Sequence, residues 1–296
     1  MRQSHIINVL FSLLAVAMVG CGSPTPSVDS SAQTVDVGQS SQFEPYKNER
    51  FKSALDGIFA RGSDSNTRWS VAVRAFGPQG QKLALYSQSA ATVVKPASTM
   101  KILTSWTAFQ KFSSASQIGS ERYSYIREMM KYSDNYMADQ VLASCGGVSA
   151  SYSMLSAFGI QKSPSLAIVD GSGLSYDNKL GASDLVQLLT LIRSSDKIKA
   201  FRSLLPVGGV DGTLSNRLGH IPGKIAAKTG TLTTDPTTAL AGFGDSQTGW
   251  QIVFAMLGDS VPSVDNGRST IDSAVEEIIR TLNYFPSKSA SQAAAQ

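Results

Sequence analysis

An α+β domain is predicted for this 296-residue chain by the order of its segments and by its composition. Near the start, one helical-period segment precedes two short alternating ones, and the middle is helical. The end returns to strand-like segments before a last helix, so an antiparallel sheet drawing on both ends of the chain would enclose a helical subdomain. Hydrophobic residues make up 42% and charged residues 16%, a balance that supports a packed core and excludes a disordered chain.

Taken in order, "MRQSHIINVLFSLLAVAMVG" sets one arginine before an apolar stretch too short to span a membrane comfortably, and Cys21 follows. This resembles a bacterial lipoprotein signal over residues 1–20, with "MVGC" as the lipobox and Cys21 carrying the lipid. Plain secretion with cleavage near Gly20 is the alternative, and both place the mature chain outside the cytoplasm. The remaining cysteine, Cys145, would then have no disulfide partner, and it reads as a buried apolar side chain. Residues 21–44 are rich in Ser, Pro and Gln without periodicity, a tether. Residues 45–285 are expected to form the folded domain and 286–296 a frayed tail.

Within the domain, "NERFKSALDGIFARG" has helical spacing and a glycine stop. "RWSVAVRAF" and "KLALYSQ" alternate around "GPQGQ", a hairpin signal. A helix is expected from about Ser98 to Phe112, and two more, "ERYSYIREMMK" and "YMADQVLASC", flank "YSDN". "ASDLVQLLTLIRSS" and "KIKAFRSLL" read as helices, then "KIAAKTGTLT", "TTALAGFGD" and "WQIVFAMLGD" as strands. "STIDSAVEEIIRTLNY" is the closing helix.

Three short motifs fall on these elements. "STMK" runs from Ser98 to Lys101, "SDN" from Ser133 to Asn135 and "KTG" from Lys228 to Gly230. S-x-x-K alone is weak, since "SSDK" at Ser194 to Lys197 repeats it without an apolar continuation. All three in this order mark class A β-lactamases and penicillin-binding proteins.

Each motif has a physical reason. Residues three apart on a helix share a face, so Lys101 can reach the Ser98 hydroxyl. Pro96 suits a first turn, where free N–H groups favour an oxyanion. Lysine removes the serine proton only when neutral, which needs burial or a neighbouring cation, with Lys228 the candidate. Ser133 is placed to pass a proton to a leaving amine, and Asn135 can hold Lys101 or a substrate amide. Asp134 reads as a turn residue. On a strand, Lys228 and Gly230 share a face, and a bare Gly230 would let a substrate backbone lie alongside. Thr229, Gly230 and Thr231 are therefore expected to bind substrate, with the Thr231 and Ser98 N–H groups as oxyanion hole and Lys228 facing a terminal carboxylate.

Other chemistries find no residues. His5 lies in the leader, and His220, in "LGHIPG", reads as solvent-facing, so no histidine triad is available. No His/Cys cluster has metal-ligand spacing, and neither a metal nor a cofactor is expected. A formal charge of +4 without a basic block gives no footprint for nucleic acid.

Together with "DGSGLS" at Asp170 to Ser175 and "LLPVGGVDGTL" from Leu204 to Leu214, these motifs resemble the class C low-molecular-mass penicillin-binding proteins, the D-alanyl-D-alanine carboxypeptidase/endopeptidases. The resemblance implies the serine β-lactamase/DD-peptidase fold and a Ser98 acyl-enzyme formed on peptidoglycan stem peptides. β-Lactams would be covalent inhibitors, and the lipid would attach the enzyme to a membrane. Long members of that family carry large inserted domains between the first two motifs. Here 35 residues separate Ser98 from Ser133, so those domains are absent and endopeptidase action is the weaker expectation. Two alternatives stay open: a β-lactamase on the same fold, and an inert wall-associated lipoprotein. The first is opposed by the lack of any Glu between Asp139 and Thr190 to activate a deacylating water. "DGSGLS" and "VGGVDGTL" are themselves expected to shape loops rather than to react.

Overall fold

A computed structural model of the chain describes residues 45–112, 114–160 and 165–285. The expected signal segment, Cys21, the tether and the tail lie outside them. Helix α1 (Pro45–Arg61) precedes a hairpin of β1 (Arg68–Phe76) and β2 (Lys82–Gln88). A short β3 (Val93–Val94) leads through a 3-10 turn (Ala97–Thr99) into α2 (Met100–Phe109), α3 (Ser120–Tyr132), α4 (Asn135–Ser144) and α5 (Gly147–Ala157). Then follow β4 (Leu180–Gly181), α6 (Ala182–Arg193), α7 (Ile198–Leu204), β5 (Ile225–Leu232), β6 (Thr237–Asp245), β7 (Gln251–Asp259) and α8 (Val264–Asn283).

The main sheet has the order β2-β1-β7-β6-β5, every neighbour antiparallel, while β3 and β4 pair separately. Both ends of the chain thus meet at the β1–β7 pairing, where Ala72 lies opposite Ala255. Alternate residues of β7, Val253, Ala255 and Leu257, join the core formed with α2 and α6, while α8 packs against β6 from the remaining side. With helices on both faces, β6 and β7 are buried almost throughout, which is why "TTALAGFGD" and "QIVFAMLGD" read as near-continuous apolar runs. Strand β5 is the edge. Its start is covered by the 206–208 segment, with Ala227 N donating to Pro206 O at 3.0 Å.

Some elements differ from the sequence expectation. Ser98 sits in the 3-10 turn, and α2 starts two residues later and ends at Phe109. The carbonyls of Phe109 and Phe112 are then taken by the buried Lys197 ammonium, at 3.1 and 2.5 Å. The second Ser-x-x-Lys therefore ends in a helix-capping lysine, far in role from the first. Helix α5 and the β3–β4 pair were not foreseen: serines and a glycine dilute the apolar period of α5, and two-residue strands carry none. The last helix begins at Val264, because the Ser263 hydroxyl caps it by accepting from Asn266 N at 3.1 Å. Cys145 is buried and unpaired. No described helix is long and apolar enough to cross a membrane.

Candidate active site

The segment that carries Ser98 is held in an uncomfortable conformation. Ala97 has φ of +47°, a left-handed backbone that costs a residue with a Cβ about 1–2 kcal/mol. Two glycines let the turn sit there. A Cβ on Gly173 would lie 1.8 Å from the Ala97 carbonyl oxygen, and one on Gly230 would lie 3.0 Å from Pro96 O and 3.1 Å from the Ala97 Cβ. Gly230 is thus bare to admit the Ser98 turn. This corrects the expectation that it leaves room for a substrate backbone.

Ser98 is half-buried, and its Oγ accepts from Lys101 Nζ at 3.0 Å, across one helical turn. The Lys101 amine is wholly inaccessible and meets two further acceptors, Asn135 Oδ1 at 2.7 Å and the Ser172 carbonyl at 2.7 Å. Three acceptors satisfy an ammonium. A neutral amine keeps two N–H groups, which the two carbonyl-type oxygens retain, since neither can donate. The lone pair is then left facing Ser98, the one partner with a proton to give. Burial lowers the Lys101 pKa from 10.5 to about 8, against the opposing pull of Asp139, Asp170 and Asp134.

The Ser172 carbonyl is a partner that the sequence did not reveal. It is presented by the "DGSGLS" loop, which the Asp170 carboxylate organises by accepting from Gly173 N at 2.6 Å, Ser175 N at 2.7 Å and Asn178 Nδ2 at 3.0 Å. Thr104 donates to Gly171 O at 2.7 Å, and Asp139 accepts from Gly171 N at 2.9 Å, tying the loop to α2 and α4. Backbone acceptors leave no residue-type signature. The available signal was an aspartate followed by two glycines in a loop.

"SDN" forms the joint between α3 and α4. Ser133 ends α3 in a left-handed conformation, φ +64°, and Asp134 caps α4 by accepting from Met137 N at 2.8 Å. Asp134 is therefore the turn residue it was expected to be, and Asn135 opens α4 with its Oδ1 on Lys101. The joint is anchored beneath by Lys131, whose buried ammonium binds Asp211 at 2.6 and 2.7 Å and Leu205 O at 2.6 Å. Asp211 belongs to "VGGVDGTL", which thus braces "SDN" against the "KTG" strand.

Lys228 reaches from β5 to Ser133 Oγ at 2.8 Å and to Thr229 O at 2.9 Å. Two hydrogen-bonded sets, Ser98–Lys101–Asn135 and Ser133–Lys228, thus meet at the α3–α4 joint, where Ser133 and Asn135 lie two residues apart. The charge on Lys228 departs from expectation. Its amine has no exposure, and burial together with the nearby Lys101 holds its pKa far below 10.5. Burial, rather than a cationic Lys228, is what depresses Lys101.

Further along β5, Thr229 shares a 2.7 Å hydroxyl–hydroxyl bond with Thr213, and Thr231 Oγ1 accepts from the Arg268 guanidinium of α8 at 3.2 Å. Neither Thr213 nor Arg268 was singled out from the sequence. On an antiparallel strand, alternate residues send their backbone groups to the same edge, so Thr229 and Thr231 follow Ala227 toward the uncovered side of β5. His220 is 90% exposed beside Glu276 and away from these groups, the solvent-facing place expected for it.

The chain matches known proteins in sequence and in fold. A model of the D-Ala-D-Ala carboxypeptidase 3 (S13) family matches residues 123–281. The chain is 34% identical over 175 residues to carboxypeptidase DacB of Mycolicibacterium smegmatis, across 53% of this chain and 37% of that protein. It is 31% identical over 148 residues to D-alanyl-D-alanine carboxypeptidase DacB of Haemophilus influenzae, across 45% of this chain and 30% of that one. These matches span about a third of each relative's length. Among solved structures, a class A β-lactamase from Bacteroides cellulosilyticus superposes with a TM-score of 0.63 at 15% identity, over 81% of this chain and 99% of that one. The fold is therefore the serine β-lactamase/DD-peptidase fold anticipated from the motifs.

Proposed function

Since the chain belongs to the D-Ala-D-Ala carboxypeptidase 3 (S13) family, we propose that it is a serine D-Ala-D-Ala carboxypeptidase acting on peptidoglycan stem peptides. The observation that carries the proposal is the triple engagement of Lys101. Two acceptors without protons leave its lone pair to Ser98 and to nothing else.

In this reading neutral Lys101 takes the Ser98 proton as the hydroxyl adds to the carbonyl before the terminal D-Ala. The oxyanion forms against the N–H groups of Ser98 and Thr231. Collapse expels D-Ala, whose nitrogen receives a proton through Ser133, the hydroxyl bonded to Lys228. Water then attacks the ester, a proton passes back to Ser98, and the shortened peptide leaves. Asn135, its Oδ1 occupied by Lys101, has its Nδ2 to donate to the substrate amide. Thr229, Gly230 and Thr231 provide the strand edge along which the peptide lies. β-Lactams would acylate the same serine.

The chain is further proposed to act outside the cytoplasm, held at a membrane by lipid on Cys21, with residues 45–285 as the catalytic domain. The leader sequence and the cell-wall chemistry of the family support this. β-Lactam hydrolysis as the main activity is disfavoured by the absence of glutamate between Asp139 and Thr190, and crosslink cleavage by the short connection from Ser98 to Ser133.

The test is intact-mass spectrometry of the chain after penicillin treatment, with D-Ala release from a stem pentapeptide measured in parallel. A single adduct mapped to Ser98, lost together with D-Ala release in Ser98→Ala, is expected. An unlabelled chain, or an equally labelled Ser98→Ala variant, would overturn the proposal, as would nitrocefin turnover far faster than D-Ala release.

A further inference from the structure

The turn that carries Ser98 has to be held from its upstream side as well as from α2. The β3–β4 pairing ends at Val94, and Pro96 has no N–H to give. Between them stands Lys95, which the sequence did not single out. Its side chain is 6% exposed, and its ammonium binds the carboxylates of Asp235, in the turn between β5 and β6, and of Asp259, the last residue of β7. Asp259 is itself buried and also binds Arg68. On another side the ammonium lies 5.7 Å from the centre of the Tyr176 ring. That ring follows closely on Ser172, whose carbonyl accepts from Lys101.

A buried ion pair is a weak source of stability, because an apolar pair of similar shape does as well or better once desolvation is counted. What it supplies is direction, since charge-assisted hydrogen bonds are short and well aimed. The carboxylates that Lys95 grips are themselves fixed. Asp259 stands opposite Arg68 in the β1–β7 register. Asp235 Oδ1 accepts from Ser260 Oγ at 3.1 Å, and Val261 N donates to Pro236 O at 2.9 Å. Lys95 is thus tied to the main sheet.

We propose that Lys95 is a positioning residue for the nucleophile: its ion pairs with Asp235 and Asp259 clamp the left-handed Ala97 turn to the sheet and so aim the Ser98 hydroxyl and N–H. This inference rests on the reading of Ser98 as the acylated residue. Downstream, Thr99 closes the turn, its N–H and its hydroxyl donating to Pro96 O at 3.2 and 2.6 Å. Upstream, Lys95 supplies the hold. If either side lets go, Ala97 can leave its strained φ of +47°. Rotation there swings the peptide whose N–H belongs to Ser98.

Lys95 does this as a permanent cation. Burial works against its charge, but the hydrogen bonds and charges of Asp235 and Asp259 outweigh it and hold the pKa above 10.5. It therefore stays charged through the range around pH 8 in which Lys101 titrates. The carboxylates that act on Lys101 are different ones, Asp139, Asp170 and Asp134. Lys95 and Arg68 balance Asp235 and Asp259, so the set as a whole is neutral.

The experiment follows acylation by a fluorescent penicillin in the full chain, in Lys95→Met and in Lys95→Met/Asp259→Asn. The double variant removes both buried charges, so its folding does not depend on an unpaired carboxylate. Stopped-flow traces give the dissociation constant of the encounter complex, the acylation rate constant and the fraction of chain labelled. The expected result in both variants is a rate constant lower by about 30- to 100-fold, with the dissociation constant within about threefold of wild type. The pH midpoint should stay near 8. A rate constant within about threefold of wild type in the double variant overturns the inference, also where the labelled fraction falls, which marks a purely structural role. So does a midpoint displaced by more than about half a pH unit, which places Lys95 in the electrostatics of Lys101. If Lys95→Met does not fold, the double variant decides alone. A wild-type chain that takes up no label overturns the proposed function and the inference together.

Discussion

Raising the pH from 7 to 9 interrogates the proposed base directly. Lys101 must be neutral to accept the Ser98 proton, and burial brings its pKa from 10.5 to about 8. The neutral fraction is then about one tenth at pH 7, one half at pH 8 and nine tenths at pH 9. An ordinary lysine would be neutral in only about three molecules per ten thousand at pH 7, so burial multiplies the available base by about 300-fold. The rate constant for acylation by a fluorescent penicillin, in single turnover, should climb about tenfold between pH 7 and 9 with its midpoint near pH 8. Stability follows its own sign. The folded-state pKa lies below the unfolded one, so between pH 8 and 10.5 the unfolded chain binds more protons and the fold gains stability as pH rises. The penalty, about 3 kcal/mol, is fully present below pH 8. Denaturant midpoints in the same buffers separate the two effects. An acylation profile that is flat from pH 6.5 to 9.5, or whose midpoint is near 10.5, would refute the assignment of a buried neutral amine.

Two further perturbations probe the supports of the site. Gly173→Ala places a Cβ 1.8 Å from the Ala97 carbonyl at a residue with φ +82°, so the loop and the Ser98 turn cannot both hold their positions. Acylation should fall about 100-fold, the order expected of a 1 Å misplacement, and a rate within twofold of wild type would show the contact to be inconsequential. Asp211→Asn leaves the buried Lys131 ammonium without its counter-charge beneath Ser133. Because the carboxylate is partly exposed, a loss of about 2 kcal/mol is expected by urea unfolding, and an unchanged midpoint would count against the brace.

Much of the architecture was legible because it depends on local pattern. The bounds of β1, β2 and β6 coincide with the segments read from the sequence, since period two in the first two and an unbroken apolar run in the third are visible in nine or fewer residues. Helix α5 escaped because its serines blur the apolar stripe. The start of α8 was missed because the amphipathic stripe, beginning at Ile271, outweighed the Ser263 cap before it.

At the site, the sequence alone determined which residue types are present, their order, and the one-turn reach from Ser98 to Lys101. The fold decided the environments. Lys101 meets Asn135 and Ser172 from 34 and 71 positions away, and Lys228 meets Ser133 across 95. Depth of burial, and hence which lysine can carry a charge, is a sum over all such distant neighbours. Spacing records what shares a turn of helix or a face of strand, but desolvation arises only when separate segments close over the same point.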